Sequence, residues 1–251
     1  MSLRSTHRPT RGNSRPGRLS RLDALLPRLL PELTTGSGTV VDLGLGALPW
    51  TTLELRARLA ELNPELVLVG VDLDPKRVAA AAATAPEVHW VCGGFDLPVQ
   101  ARLIRAINLL RQYPMAEVTD AHARLGRGLV QGGVLLEGTT DKTGARAGLL
   151  QLRRTRTGLI REALLLSTDF STGFAPLALR DHLPRDLRHR VRPGEPIEAF
   201  FKAWTEAWKA VRSDDPRFSF TASLPGLRRT YPSVRELDAG TLIWRPLGGI
   251  P

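Results

Sequence analysis

The chain has a single cysteine, Cys92, among its 251 residues. One cysteine excludes an intramolecular disulfide, and it excludes a zinc site built from several thiolates. The five histidines are scattered, and no two of them have the spacing of metal ligands beside a carboxylate partner. We therefore expect no metal centre in this protein.

Long apolar runs are also missing. No stretch reaches the roughly 18 residues that a membrane helix needs. The arginine-rich start of the chain is not followed by the apolar segment of a secretory signal. Hydrophobic residues nevertheless make up 42% of the chain, which is enough to bury a full core. We expect a cytoplasmic globular protein with no membrane partner.

Acidic residues are absent from the first 22 positions, which hold six arginines. The whole chain has a formal charge of +10, and +4 remains when this segment is left out. A basic charge can indicate nucleic-acid binding. A basic tail, however, is more often a solvated arm than a segment that recognises a specific nucleic acid. Residues 1–19, rich in Arg, Ser, Pro and Gly, are predicted to form a disordered basic tail. RNA stays open as a partner.

Strand and helix patterns alternate along the middle of the chain. Short apolar segments predict strands at residues 39–43, 66–71, 88–92, 104–110 and 134–137. Helical patterns lie between them, and the pair Asp74-Pro75 has the form of an N-cap followed by proline at the first helical position. This rhythm predicts an α/β domain over residues 20–170, with a Rossmann-like, doubly wound, mostly parallel sheet and helices on both faces.

The pattern changes after Gly138. Residues 149–154 and 159–167 resemble antiparallel strands, and residues 242–244 a last strand. A helix is predicted from residue 196 to about residue 211, with an apolar stripe that includes Phe201 and Trp204. Residues 171–251 are therefore predicted to form a helical and strand extension that packs on the core, since they hold too few elements for a core of their own.

Acidic residues follow the first three predicted strands, and glycines accompany the first of them. The residues concerned are Asp42, Leu43, Gly44 and Gly46 after the first strand, Asp72 and Leu73 after the second, and Phe95, Asp96 and Leu97 after the third. In open α/β sheets, ligands bind beyond the carboxyl ends of the strands, where the strand order reverses. Glycine allows close approach of the backbone to a ligand. These positions predict a binding crevice.

The three acids suit different parts of a nucleoside ligand. Asp42 would attract an ammonium group and repel a pyrophosphate. Asp72 could accept hydrogen bonds from both hydroxyls of a ribose. Asp96 could accept from an exocyclic amine, while Phe95 or Leu97 packs on the face of an adenine. Each residue alone also fits an ordinary turn or a solvated loop.

Taken together, the three segments resemble those of class I methyltransferases that depend on S-adenosyl-L-methionine (SAM), over roughly residues 36–170. Residues 42–46 resemble the first motif of that family, Asp72 its ribose-binding acid, and Phe95-Asp96 its adenine-contacting segment. The resemblance implies SAM as the cofactor and methyl transfer as the activity. Residues 108–113 and 136–139 are similar to segments of bacterial methyltransferase-like proteins.

The resemblance also implies where the acceptor would lie. Asn108 would end the fourth strand beside the methionine part of the cofactor, and Arg111 and Tyr113 would line the acceptor side. Glu137 would be either a base or a buried partner of Arg111. No catalytic residue is assigned. The extension at residues 171–251 would flank the acceptor side, and its arginines favour an anionic acceptor, either a small metabolite or RNA.

The sequence departs from the family in three places. Leu48 and Pro49 stand where a third glycine often lies, and no Asn-Pro-Pro-Tyr segment follows the fourth strand, so methylation of a base amino group is not supported. The helix that usually follows the fifth strand looks shortened. Two alternatives remain. One is a catalytically silent SAM-fold binding module associated with RNA through the arginines of residues 180–192. The other is a nicotinamide-dependent oxidoreductase, which the absence of a G-x-G-x-x-G segment disfavours.

Overall fold

The computed structural model describes residues 14–251, and these form one nine-stranded sheet of order β3-β2-β1-β4-β5-β6-β7-β9-β8. The strands are β1 (Gly38–Leu43), β2 (Leu66–Asp72), β3 (His89–Cys92), β4 (Ala101–Ile107), β5 (Leu129–Thr140), β6 (Arg146–Thr155), β7 (Gly158–Thr168), β8 (Val234–Asp238) and β9 (Thr241–Trp244). The helices are α1 (Ser20–Ala24), α2 (Leu26–Leu29), α3 (Trp50–Leu62), α4 (Pro75–Thr84), α5 (Met115–Arg127), α6 (Arg185–Arg188), α7 (Pro196–Lys209) and α8 (Pro216–Thr230).

The first five strands form the parallel half of the sheet. The chain moves outward from β1 to β3 and then returns to place β4 on the other side of β1. The strand order therefore reverses between β1 and β4, which confirms the predicted Rossmann-like α/β fold. The predicted fourth strand begins three residues too late, because Arg102 makes the start of β4 look polar.

The other half of the sheet is antiparallel. Half of the eight strand pairings are antiparallel, so the expectation of a mostly parallel sheet was too strong. Residues 141–145 join β5 directly to β6, and no helix lies between them. Helix α8 was not predicted, because Pro225 and Gly226 inside it look like a break. Strand β8 was not predicted either.

Two apolar clusters cover the two faces of the sheet. On one face, α5, α7 and α8 pack against alternate residues of the strands, and Trp204 of α7 is fully buried in the same cluster as Val41 and Ile104. On the other face, α1 to α3 pack against residues such as Val40 and Leu103. The extension and the parallel strands thus share one core. No helix among the described residues has the length and apolar character to cross a membrane.

The chain before β1 belongs to the folded domain from at least Gly17. Leu19 is buried among the leucines of α1 and α2, and the backbone N–H of Gly17 donates to Glu54 Oε1 at 2.6 Å. Arg18 Nε donates to Thr140 Oγ1 at 3.1 Å. The predicted end of the tail at residue 19 is therefore too late, because its last residues supply apolar and polar contacts to the domain. Residues 1–13 lie outside the described residues.

Candidate functional site

The loop that follows β1 lies at the reversal of strand order. Gly44 and Gly46 have φ angles of +93° and +75°, in the left-handed region that favours glycine. The N–H of Gly44 donates to the carbonyl oxygen of Val71 at 2.8 Å, which ties the loop to the end of β2. Leu43, just before the loop, is buried in the core and anchors the start of the loop there. The predicted glycine turn thus lies where a ligand crevice is expected in this fold.

Asp72, at the end of β2, connects two loops. Its Oδ2 accepts from the N–H of Leu45 at 2.9 Å, and its Oδ1 accepts from the N–H of Asp74 at 2.9 Å. Arg77 Nη1 lies 3.8 Å from Oδ2. Asp72 is 4% exposed, and a carboxylate has about four lone-pair sites, so these two hydrogen bonds leave acceptor capacity on a carboxylate that is nearly buried. Leu73, the next residue, accepts a weak hydrogen bond from Cys92 Sγ at its carbonyl.

Asp42, at the end of β1, has its carboxylate turned into the protein. Oδ1 accepts from Arg105 Nε at 2.8 Å, and Oδ2 accepts from Arg105 Nη2 at 2.9 Å and from Thr52 Oγ1 at 2.6 Å. This corrects the role expected of Asp42, because a carboxylate that pairs with a buried arginine does not face an ammonium group of a ligand. Its contribution to the crevice is the support of the glycine loop that follows it.

Arg105, on β4, is the main residue of this region that the sequence analysis missed. Its Nη1 donates to both oxygens of Asp23 of α1, at 2.6 and 2.7 Å, and its Nη2 donates to the carbonyl oxygen of Thr51 at 2.8 Å. Burial alone would lower the pKa of Arg105, but the carboxylates of Asp23 and Asp42 outweigh burial and raise it. The signal in the sequence was an arginine inside an apolar strand, which needs buried carboxylate partners.

The loop after β3 differs from its predicted role. Phe95 is buried, with its ring centroid 5.2 Å from that of Tyr113, so its face is covered and does not receive an adenine. Asp96 pairs with Arg124 at 2.6 Å and with Arg127 at 3.2 Å, and the hydrogen bond from Arg124 lowers the pKa of Asp96. Leu97 is half-buried. Of the three residues predicted here, Phe95 is thus buried, Asp96 is held by two arginines, and Leu97 is partly open.

Asn108 turns the chain at the carboxyl end of β4. Its φ angle is +63°, a conformation that is uncommon outside glycine but several-fold enriched for asparagine. The side-chain Oδ1 accepts from the N–H of Thr140 at 2.9 Å, and Nδ2 donates to Thr140 Oγ1 at 2.9 Å. These two bonds hold the end of β4 to the end of β5, and they fix the strained turn next to the crevice.

The three acceptor-side candidates do not come together. Arg111 is exposed, and its Nη1 donates to the carbonyl oxygen of Thr140 at 3.4 Å. Tyr113 is buried against Phe95, its hydroxyl has no hydrogen-bond partner among the described residues, and burial raises its pKa. These positions separate the charged group of Arg111 from the buried phenol, so only Arg111 faces solvent.

Glu137 is fully buried within β5. Neither carboxylate oxygen has a hydrogen-bond partner among the described residues, and His122 Nε2 of α5 lies 3.9 Å from Oε2. Burial raises the pKa of Glu137. Its neighbour is therefore His122 and not Arg111, which corrects one of the two roles considered for it. A group without access to solvent is poorly placed to act as a base.

Comparison with known proteins gives the following findings. No protein-family model matches the sequence, and no curated protein matches it. A SAM-dependent methyltransferase structure from Clostridium acetobutylicum is similar at 12% identity over 58% of this chain and 64% of that one, with a TM-score of 0.38. A TehB-like SAM-dependent methyltransferase from Corynebacterium glutamicum is similar at 22% identity over 48% and 64%, with a TM-score of 0.36. Mitomycin 7-O-methyltransferase is similar at 18% identity over 49% and 37%, with a TM-score of 0.39. The chain spans less than two thirds of each of these proteins.

Proposed function

We propose that this protein is a SAM-dependent methyltransferase that acts on a small anionic acceptor. The observation that carries the proposal is the glycine loop beside Asp72 at the reversal of strand order. There the left-handed glycines Gly44 and Gly46 follow β1, and Asp72 at the end of the adjacent strand binds the N–H of Leu45. Ligands of open α/β sheets bind at this point of the fold.

Charge favours SAM over a cofactor that contains a pyrophosphate. The end of β2 holds the carboxylates of Asp72 and Asp74, which lie 3.8 and 3.6 Å from one guanidinium group, that of Arg77. Two acids and one base leave a negative charge at the end of β2. A pyrophosphate would be repelled there, whereas the sulfonium and ammonium groups of SAM would be attracted. The nicotinamide alternative is therefore disfavoured by charge as well as by the missing glycine.

The residues of this chain fit a binding and orienting role. Asp72 would accept from the ribose hydroxyls, the loop after β1 would approach the cofactor with its backbone, and Asn108 would fix the end of β4 beside it. SAM, when bound, supplies a methyl group that is already activated for displacement, so the protein mainly orients donor and acceptor. A base is needed only if the acceptor must lose a proton. Because Glu137 and Tyr113 are buried, an acceptor atom that is nucleophilic without deprotonation fits this site.

Calorimetry on the full chain tests the cofactor. We expect SAM and its demethylated product to bind and NAD not to bind. Asp72→Asn should weaken SAM binding by about 1–3 kcal/mol, since one acceptor of the ribose hydroxyls becomes a donor. Asp214→Asn is the control, because Asp214 is exposed and forms no ion pair among the described residues. Undiminished affinity of Asp72→Asn would refute the ribose assignment, and binding of NAD alone would refute the proposed function.

The silent binding module remains the alternative, and turnover separates the two. A screen with methyl-labelled SAM on fractions of a cell extract should label a small acidic compound. SAM binding without any labelled product would favour the silent module. The link to RNA is weaker, because four of the five arginines that suggested it form ion pairs, with Arg185 the exception among the described residues. Asp181 pairs with Arg180 and Arg188, and Glu195 pairs with Arg190 and Arg192.

A further inference from the structure

Cationic side chains gather around the loop at residues 141–145, at the carboxyl ends of β4 and β5. We call Arg18 and Arg111 the arginine cluster, because both side chains reach the carbonyl oxygen of Thr140. Arg18 comes from the segment before α1 and Arg111 from the turn after β4. Two separate parts of the chain thus bring positive groups to one place at the end of β5.

Arg18 and Arg111 meet at one residue. Arg18 Nη2 and Arg111 Nη1 each lie 3.4 Å from the carbonyl oxygen of Thr140. Arg18 Nε also donates to the carbonyl oxygen of Asp141 at 3.0 Å. Burial lowers the pKa of Arg18, and the neighbouring charge of Arg111 lowers it further. Two like charges are therefore held together by the fold, an arrangement that a bound anion would stabilise.

The acid at the centre of the cluster is committed to its own loop. Asp141 Oδ1 accepts from the N–H groups of Thr143, Gly144 and Ala145, at 2.9, 2.6 and 3.0 Å. Asp141 Oδ2 accepts from the N–H of Arg146 at 3.2 Å. Burial alone would raise the pKa of Asp141, but these loop hydrogen bonds lower it. Asp141 therefore shapes the loop, with its carboxylate turned to the N–H groups of the loop itself.

The arginine cluster lies next to the expected methyl donor. Thr140, whose carbonyl oxygen receives Arg18 and Arg111, is also the residue that Asn108 binds through its side chain. The planar guanidinium group suits the two oxygens of a carboxylate or phosphate. Arg111 is exposed and has one long hydrogen bond to the described residues, so most of its donors face outward.

We propose that the arginine cluster binds the carboxylate or phosphate group of the acceptor, with Arg111 as the main contact and Arg18 behind it. This proposal rests on the proposed function, since it assigns the anionic end of the acceptor to the end of β5 at Thr140, which Asn108 joins to the end of β4. It names different residues from Arg180, Arg188, Arg190 and Arg192 of the extension, which form ion pairs with acids.

Anion binding by the full chain tests the proposal. Inorganic phosphate and acetate are titrated separately at constant ionic strength, with binding followed by the rise in melting temperature. We expect at least one of them to bind, and the one that binds more tightly identifies the acceptor group as phosphate or carboxylate. Arg111→Met should weaken this binding at least tenfold. Arg156→Met, an exposed arginine in the turn between β6 and β7, should leave it unchanged.

Each outcome decides the matter. Equal binding by wild type and Arg111→Met, equal losses in Arg111→Met and Arg156→Met, or no binding of either anion would overturn the anion subsite. SAM affinity is measured in parallel on the same variants. Anion binding that depends on Arg111 in a protein that does not bind SAM would support the subsite and refute the proposed function. SAM binding without anion binding would support the proposed function and refute the subsite.

Discussion

Replacing Arg105 by methionine removes the charge that two buried carboxylates share. The guanidinium group makes five hydrogen bonds, to Asp23, Asp42 and the carbonyl of Thr51, all at 2.9 Å or less. Arg105, Asp23 and Asp42 are each less than 5% exposed. Removing one partner of a buried ion pair costs about 3–5 kcal/mol, because the other charge stays buried without compensation.

In Arg105→Met two carboxylates lose their partner, so we expect a cost at the upper end of that range, about 5 kcal/mol. Total stability of a domain is about 5–15 kcal/mol, and the variant is therefore close to unfolding. Asp23→Asn is the milder change. It leaves the pair of Arg105 and Asp42 in place and should cost about 1.5–3 kcal/mol, as for a hydrogen bond to a charged group.

Urea unfolding followed by tryptophan fluorescence measures both variants. Arg154→Met is the matched control, since Arg154 lies on β6 and forms no ion pair among the described residues. We expect the urea midpoint to be highest for Arg154→Met, lower for Asp23→Asn and lowest for Arg105→Met. A free energy of unfolding for Arg105→Met within about 1 kcal/mol of that of the control, the scale of an exposed ion pair, would refute the reasoning. If Arg105→Met does not fold, the order of Asp23→Asn and the control still decides.

Two further predictions concern pH and the start of the chain. Burial raises the pKa of Glu137, so the stability that its protonated form contributes is full below the unfolded value, about 4.3, and is lost as pH rises through the folded pKa. Glu137→Gln should therefore raise the melting temperature more at pH 8 than at pH 5, and an equal or reversed effect would contradict this. Deletion of residues 1–19 should lower the melting temperature relative to deletion of residues 1–13, because only the longer deletion removes the buried Leu19 and the contacts of Arg18. Equal melting temperatures would show that these contacts contribute nothing.

Local signals in the sequence predicted most of the elements. The Asp74-Pro75 signature begins α4 as expected, with the Asp74 side chain accepting from the N–H of Lys76 at 2.9 Å. The same signature occurs at Asp215-Pro216, where it begins α8. It was overlooked because a proline and a glycine later in that segment predict a break. Caps and apolar runs act within a few residues, so they are visible in the sequence.

The strand ends that carry the candidate site were predictable from the sequence, but the orientations of their side chains were not. Asp42 and Asp72 end neighbouring strands as the pattern indicated. The direction of a side chain depends on strand register, because alternate residues face opposite sides of the sheet. Val40 faces the cluster that contains α1, and Asp42, two residues later, faces the same way and meets Arg105. That meeting also needs Asp23, 82 residues away from Arg105, and such a distant pairing has no local signal.

The same distant pairing has a consequence for folding of the new chain. Helix α1 has only five residues and is too short to be stable alone. Its docking through Asp23 requires β4, which leaves the ribosome about 80 residues later. Until then Asp23 has no partner, and the leucines of α1 and α2 cover a sheet that still lacks residues of β4 such as Leu103. Helix α1 is therefore synthesised before the strand that fixes it, and a chain that stalls before β4 exposes apolar surface that chaperones would have to shield.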